Sequence, residues 1–285
     1  MTIANAIEAC RRKLQAVSDV PWLEARMLAS YVTGLDASAV VAYGDNAITE
    51  DRRDQLFALA VRRAAGEPVA YLTGVKEFCG LKIAVDRRAL VPRSETEELV
   101  AAVRRDWHNR RADILELGTG SGAIACALAA FVPDARILAT ELSADALELA
   151  QANVDRLGLG AQISLSLGDL FAAVVPRREF DVIVANLPYV GDDNADALDD
   201  SVRRTEPRIA LFAGADGLDV YRRMLPAAPR YARAGAMLYL ECAPFNAAAL
   251  ADLAREAFAG AGVSIERDAA RRQRIVVIRT GGKTA

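Results

Sequence analysis

The sequence predicts an α/β protein: a Rossmann-like seven-stranded sheet preceded by a small amino-terminal helical domain, with a β-hairpin linking the two. Three observations predict it. Apolar residues recur at helical spacing up to about Arg93. From Asp113 onward short apolar strands alternate with helical stretches, the pattern of βαβ units and a mainly parallel sheet. The last two strands stand too close in the chain to be parallel neighbours, so the sheet closes on an antiparallel pair. A length of 285 residues leaves room for one large domain and a smaller one at roughly 100 to 200 residues each.

Taken in order, residues 3 to 15, 21 to 32 and 50 to 65 carry the helical spacing, and Gly34, Gly44 and Gly66 interrupt it. These define a helical domain over residues 1–68. The stretch 69–93, VAYLTGVKEFCGLKIAVDRRALVPR, alternates around Gly74 and Gly80 and predicts the hairpin. Pro92 ends it, and Ser94 with Glu97 has the spacing of a capping box opening the next helix. The third segment, 94–285, holds strands at about 113–117, 136–141, 162–167, 180–185, 236–242, 263–268 and 273–279.

Composition excludes several chemistries. One histidine (His108) and four scattered cysteines (Cys10, Cys79, Cys126, Cys242) give no metal-ligand spacing and no Ser-His-Asp set, so no metal is expected. The thiols read as buried residues of a reducing cytoplasm. The amino terminus reads as an amphipathic helix rather than a signal peptide, and no run approaches the ~18 apolar residues of a membrane span. A formal charge of -3 argues against bulk attraction to nucleic acid.

Two motifs carry the chemistry. In ILELGTGSGAIACALA a buried strand passes through Gly118, Thr119, Gly120, Ser121 and Gly122 into a helix, which brings backbone and free helix-start N–H groups close to a ligand. The next strand ends at Glu141, where a carboxylate can accept from both hydroxyls of a ribose. Position 123 is Ala where a dinucleotide fingerprint has its third glycine. After the third strand, Asp169 can accept from an adenine amino group and Leu170 can cover the ring. The set fits an adenosyl ligand.

The strand FDVIVA runs into Asn186-Leu187-Pro188-Tyr189. Asn186 Oδ1 and the Leu187 carbonyl can each accept one N–H of a planar NH2 group, while Tyr189 stacks on its face. An amide nitrogen is a poor nucleophile, and two acceptors can align its lone pair with an electrophilic methyl group. No histidine base is needed for that step.

The sequence resembles the HemK/PrmC family of S-adenosylmethionine-dependent protein (glutamine-N5) methyltransferases over nearly the whole chain. Beyond ELGTGSG and NLPY the resemblance includes GEPVAYLTGVKEFCGL, VPRSETEELV, EPRIALFAGADGLDVYRRML and RRQRIVVIR. It implies a methyltransferase sheet with S-adenosyl-L-methionine as cofactor and the glutamine of the Gly-Gly-Gln motif of a class I peptide-chain release factor as methyl acceptor. The helical domain would engage that substrate. By position, Gly118, Thr119, Gly120, Ser121, Gly122, Glu141, Asp169, Leu170 and Asn186 would hold the cofactor. Asn186, Leu187, Pro188 and Tyr189 would bind the glutamine, with Asn186 and Tyr189 as the catalytic pair.

The chain departs from the family at Leu187, where NPPY has its first proline, at Ser94 for Pro, at Glu141 for Asp, and in LECAPFN (240–246), where a Glu-x-Gly segment followed by Gln is usual. The expected protein is a cytoplasmic monomer acting on a protein, with no membrane and no nucleic acid. Alternatives are a nucleic-acid exocyclic-amino (adenine N6-type) methyltransferase, a diverged paralogue methylating a ribosomal protein, and a cofactor binder without turnover.

Overall fold

The computed structural model describes residues 1–281. The chain forms two compact units, Met1–Val75 with Leu198–Thr205, and Lys76–Ala197 with Glu206–Ala285.

The first unit is helical. It contains α1 (Ile3–Leu14), α2 (Pro21–Thr33), α3 (Ala37–Ala42), α4 (Glu50–Ala64) and α5 (Val69–Thr73). Thr2, Asp36 and Thr49 accept N-terminal backbone N–H groups of α1, α3 and α4, each such cap stabilising by about 1 kcal/mol. Leu14, Leu28 and Leu56, all fully buried, join α1, α2 and α4 in one core. Arg63 and Glu24 form a largely buried ion pair at 3.0 Å between α4 and α2. A short helix from far along the chain, Asp200–Thr205, belongs to this unit. Gly66 lets it come close: a Cβ there would stand 3.0 Å from the Arg204 guanidinium.

The linking segment differs from the expected hairpin. Val69–Thr73 is helical, and only β1 (Val75–Phe78) and β2 (Leu81–Ala84) pair. Pro68 lacks an N–H and so suits a helix start, Gly74 closes the turn in the left-handed region, and Val69 and Leu72 join the helical core. The capping box is not formed either. Ser94 is the first residue of α6 (Ser94–Trp107), and Glu97 instead accepts the Cys79 N–H at 3.0 Å.

The second unit is built on the seven-stranded sheet. Its strands are β3 (Asp113–Leu117), β4 (Arg136–Glu141), β5 (Ile163–Leu167), β6 (Phe180–Ala185), β7 (Ala232–Glu241), β8 (Gly262–Arg267) and β9 (Gln273–Arg279). The order is β5-β4-β3-β6-β7-β9-β8, parallel except for β9, which runs antiparallel to both its neighbours. Between them run α7 (Ala123–Phe131) and α8 (Ala144–Leu157), then α9 (Asp200–Thr205, the helix of the first unit), α10 (Asp219–Met224) and α11 (Ala247–Ala257). Leu115, Leu117, Ile183, Ala185, Leu238 and Leu240 share one core with Tyr221 and Met224 of α10 and Leu250 and Ala254 of α11. From β3 the chain moves first to β4 and β5 and then back to β6 on the other side. Open α/β sheets bind ligands at such a switch point, beyond the carboxyl ends of the strands.

Candidate active site

Strand register alone assembles the site. Leu117 pairs with Thr140 on one side and Ala185 on the other, Glu141 with Leu167, and Ala185 with Leu240. The residues that follow therefore form a row along the carboxyl edge of the sheet: Gly168-Asp169, Glu141, Gly118, Asn186 and Glu241. Adjacent strands lie about 4.8 Å apart. A cavity of about 370 Å³ opens above this row, within the size range of small-molecule sites.

The glycine loop turns through three left-handed residues, with φ of 73°, 57° and 78° at Gly118, Gly120 and Gly122. A side chain at each would cost roughly 1–2 kcal/mol. Space matters as well. A Cβ on Gly118 would lie 2.9 Å from Leu187 Cδ2, and one on Gly122 would press on Ala150 of α8 at 3.2 Å. Gly118, Thr119, Gly120 and Ser121 line the cavity; Gly122 does not, and serves the packing of α7 against α8.

Glu141 braces the loop and faces the cavity. Its Oε2 accepts the Gly120 N–H at 2.8 Å and its Oε1 the Ser143 N–H at 2.9 Å. A carboxylate has about four acceptor positions, so a diol can still be bound. Asp169 and Leu170 also line the cavity. Asp169 is ion-paired with Arg223 at the rim. Leu170 holds a left-handed φ of 50°, and its carbonyl accepts the Thr140 hydroxyl at 3.2 Å. Beneath the loop lies a residue not singled out from sequence, Glu116. It is fully buried, accepts the Thr119 hydroxyl at 2.8 Å, and burial pushes its carboxyl up to about 8. The strand-alternation pattern concealed it, because a core position in β3 reads as apolar.

Asn186, Leu187 and Pro188 form the opposite wall. Asn186 Nδ2 donates to Thr96 Oγ1 at 3.1 Å, which leaves its Oδ1 as the acceptor available to a ligand. The backbone N–H that Leu187 has and proline would lack donates to the Tyr221 hydroxyl at 3.4 Å, and that hydroxyl donates in turn to the Glu241 carbonyl at 2.6 Å. Tyr189 is set apart from the other three: it is half-buried and not a lining residue, and its hydroxyl donates to Glu241 Oε1 at 3.4 Å. Burial and the neighbouring Glu241 charge hold that phenol far above its ordinary value. Asn246, part of the divergent 240–246 stretch, donates to the Tyr189 carbonyl at 3.0 Å and accepts the Ala243 N–H at 3.1 Å. That stretch thus clamps the tetrapeptide through Asn246.

The sheet order, the glycine loop and the strand-end carboxylate define a methyltransferase of the Rossmann-like class. A methyltransferase domain model matches residues 114–208, and the PrmC N-terminal domain model matches residues 5–74. A solved methyltransferase from Pyrococcus furiosus aligns with 79% of this chain and 98% of its own, with a TM-score of 0.53 at 17% identity, which shows the fold alone. The release factor glutamine methyltransferase of Cereibacter sphaeroides is 37% identical over 98% of this chain and 99% of its own length. That of Geobacter sulfurreducens is 41% identical over 77% of this chain and 76% of its own. The chain belongs to the release factor glutamine methyltransferase family.

Proposed function

We propose that this protein transfers a methyl group from S-adenosyl-L-methionine to the side-chain amide nitrogen of a glutamine in a class I peptide-chain release factor. The observation that carries the reading is the Asn186–Thr96 hydrogen bond, which engages the NH2 of a cavity-lining amide and leaves its Oδ1 free to accept. S-adenosylmethionine supplies an electrophilic methyl group on a sulfonium. Gly118, Thr119, Gly120 and Ser121 would give it a close backbone wall, Glu141 would take the ribose hydroxyls, and Asp169 and Leu170 would meet the adenine. Gly122 contributes through packing.

The acceptor glutamine places its NH2 between Asn186 Oδ1 and the Leu187 carbonyl. Both oxygens accept, so the nitrogen is held with its lone pair off the amide plane and toward the methyl group. Pro188 fixes the carbonyl's direction, because proline biases Leu187 toward an extended backbone. Tyr189, whose ring is not part of the cavity lining, anchors the tetrapeptide to Glu241 through its hydroxyl. A hydroxyl this hard to ionise is no base, in keeping with a reaction driven by alignment.

The domain reading is part of the proposal: residues 1–68 recognise the protein substrate, 69–93 link, and 94–285 carry the chemistry. A net charge of -3 supports a protein rather than a nucleic acid as partner, and the enzyme acts as a cytoplasmic monomer. None of the described helices is long and apolar enough to cross a membrane. The test is incubation with labelled S-adenosylmethionine and, separately, a class I release factor, ribosomal proteins and duplex DNA, with the methyl located by mass spectrometry. The expected product carries one methyl on the release-factor glutamine. Label on DNA alone, or binding of the donor with transfer to nothing, overturns the assignment.

A further inference from the structure

Glu241 ends β7 beside Asn186 and has no place in the chemistry described so far. It is fully buried. An isolated carboxylate in such a place costs several kcal/mol unless neighbouring groups hold it, so its partners are informative. Oε1 accepts from the Tyr189 hydroxyl at 3.4 Å. Oε2 is buried and has no hydrogen-bond partner among the described residues; the Thr96 hydroxyl, which holds the carboxyl down, is the donor nearest in role to fill that gap. Thr96, itself 3% exposed, accepts from Asn186 Nδ2. The Glu241 carbonyl accepts the Tyr221 hydroxyl, whose oxygen takes the Leu187 N–H. The Glu241 side chain thus touches Tyr189 directly, and its backbone carbonyl reaches Leu187 through the Tyr221 hydroxyl.

We propose that Glu241 is the positioning residue of the acceptor site, acting through the Thr96 hydroxyl to fix which end of the Asn186 amide faces the substrate. The argument is one of donor and acceptor polarity. An ionised Glu241 only accepts, so the Thr96 proton points to it and the Thr96 oxygen must take its second hydrogen bond from a donor, the Asn186 NH2. Oδ1 is then left facing the cavity. A protonated or neutral group at 241 can donate to Thr96, turn its hydroxyl round and let the Asn186 amide reverse. Reversed, Asn186 presents NH2 to the substrate NH2, and the site repels what it was built to hold. The inference rests on the proposed amide acceptor but concerns a hydrogen-bond polarity that exists without substrate.

Burial, the first cause, pushes the Glu241 carboxyl up to about 7, against the Thr96 hydroxyl and the Arg274 charge, which hold it down. The groups that face it are Tyr189, Tyr221, Cys242, Arg274 and Glu95; Arg274 is itself paired with Asp268 at 3.3 Å. A carboxyl with a raised value is ionised only above it, so the productive polarity is gained as pH rises through about 7 and lost below.

The test uses the full chain in two readouts. In the asparagine-15N-labelled protein without substrate, the Asn186 side-chain NH2 resonance is expected to titrate with a midpoint near 7 in the parent and to lose that transition in Glu241→Gln. With release factor, kcat of Glu241→Gln is expected to fall roughly 10- to 100-fold while the S-adenosylmethionine Kd stays within about threefold, a range set by the loss of one positioned hydrogen-bond acceptor. Thr96→Ala, which keeps the Glu241 charge, should reproduce the kcat loss, and Thr96→Ser should recover most of it. An Asn186 resonance that ignores both pH and Glu241→Gln overturns the proposal, whatever the enzyme methylates. So does a Thr96→Ser variant as impaired as Thr96→Ala, or a loss that merely follows a lowered Tm. A parent that titrates as expected but leaves the release factor unmethylated overturns the substrate assignment instead.

Discussion

The two walls of the cavity are made by different means. The wall of Gly118–Ser121 and Glu141 is built from local backbone: left-handed glycines and a strand-end carboxylate holding two N–H groups within the same loop system, from residues 21 positions away or fewer. The wall of Asn186–Tyr189 has almost no local support. It hangs on side chains 90, 34, 52 and 57 residues distant, namely Thr96, Tyr221, Glu241 and Asn246. A backbone-built wall is rigid by conformation and suits a ligand that is always the same molecule. A wall suspended from a buried polar network is rigid only while every member is satisfied, and damage to it can leave the fold and the first wall untouched.

Asn186→Ala gives the largest break between the two. Removing a fixed acceptor from a preorganised site costs on the order of 10²- to 10³-fold in kcat, while the donor Kd should change far less, Asn186 being one of several groups that would hold the donor, and the Tm should stay close to the parent. Isothermal titration with S-adenosylmethionine beside single-turnover methylation would separate the two quantities. A donor affinity that collapses together with kcat would show that the walls are one unit. Gly118→Ala probes the point where they meet. Its φ of 73° and the 2.9 Å approach to Leu187 Cδ2 should raise the donor Kd roughly tenfold, the fold-change of the roughly 1–2 kcal/mol strain. The displaced Leu187 should lower kcat as well, so this variant damages both walls. An unchanged Kd would mean that the loop relaxes freely.

This division also explains what was legible in the sequence. Strand periodicity gave all seven strands of the large sheet to within a few residues, because a parallel sheet buries both faces and marks its strands as apolar runs. The donor wall was legible because positive φ demands glycine, and the demand is written at the position where it acts. At Gly122 the spacing hides a second constraint, the approach of Ala150, 28 residues on. Val69–Thr73 was taken for strand because alternation over five residues cannot be told from a single helical turn. Thr96, Tyr221, Glu241 and Asn246 were not legible at all. Their roles arise from the β6–β7 register and from helices that return to the sheet edge, and no spacing in the chain encodes those distances.

Leu187→Pro should have the smallest effect and bears most directly on the difference. The substitution removes one N–H, whose partner is the Tyr221 hydroxyl at a long 3.4 Å, so little hydrogen-bond energy is lost. The hydroxyl keeps its shorter 2.6 Å bond to the Glu241 carbonyl. Proline restricts the preceding residue to extended backbone, and Asn186 directly follows β6, where an extended conformation is already in place. Against this, Leu187 is 4% exposed and packs on Gly118, so some apolar contact is forfeited. These terms nearly cancel, and kcat/KM is expected to stay within about threefold of the parent, a difference below 1 kcal/mol. A tenfold gain would show that rigidity of the Asn186 backbone limits this acceptor wall. A tenfold loss would show that the Leu187 side chain has become one of its supports.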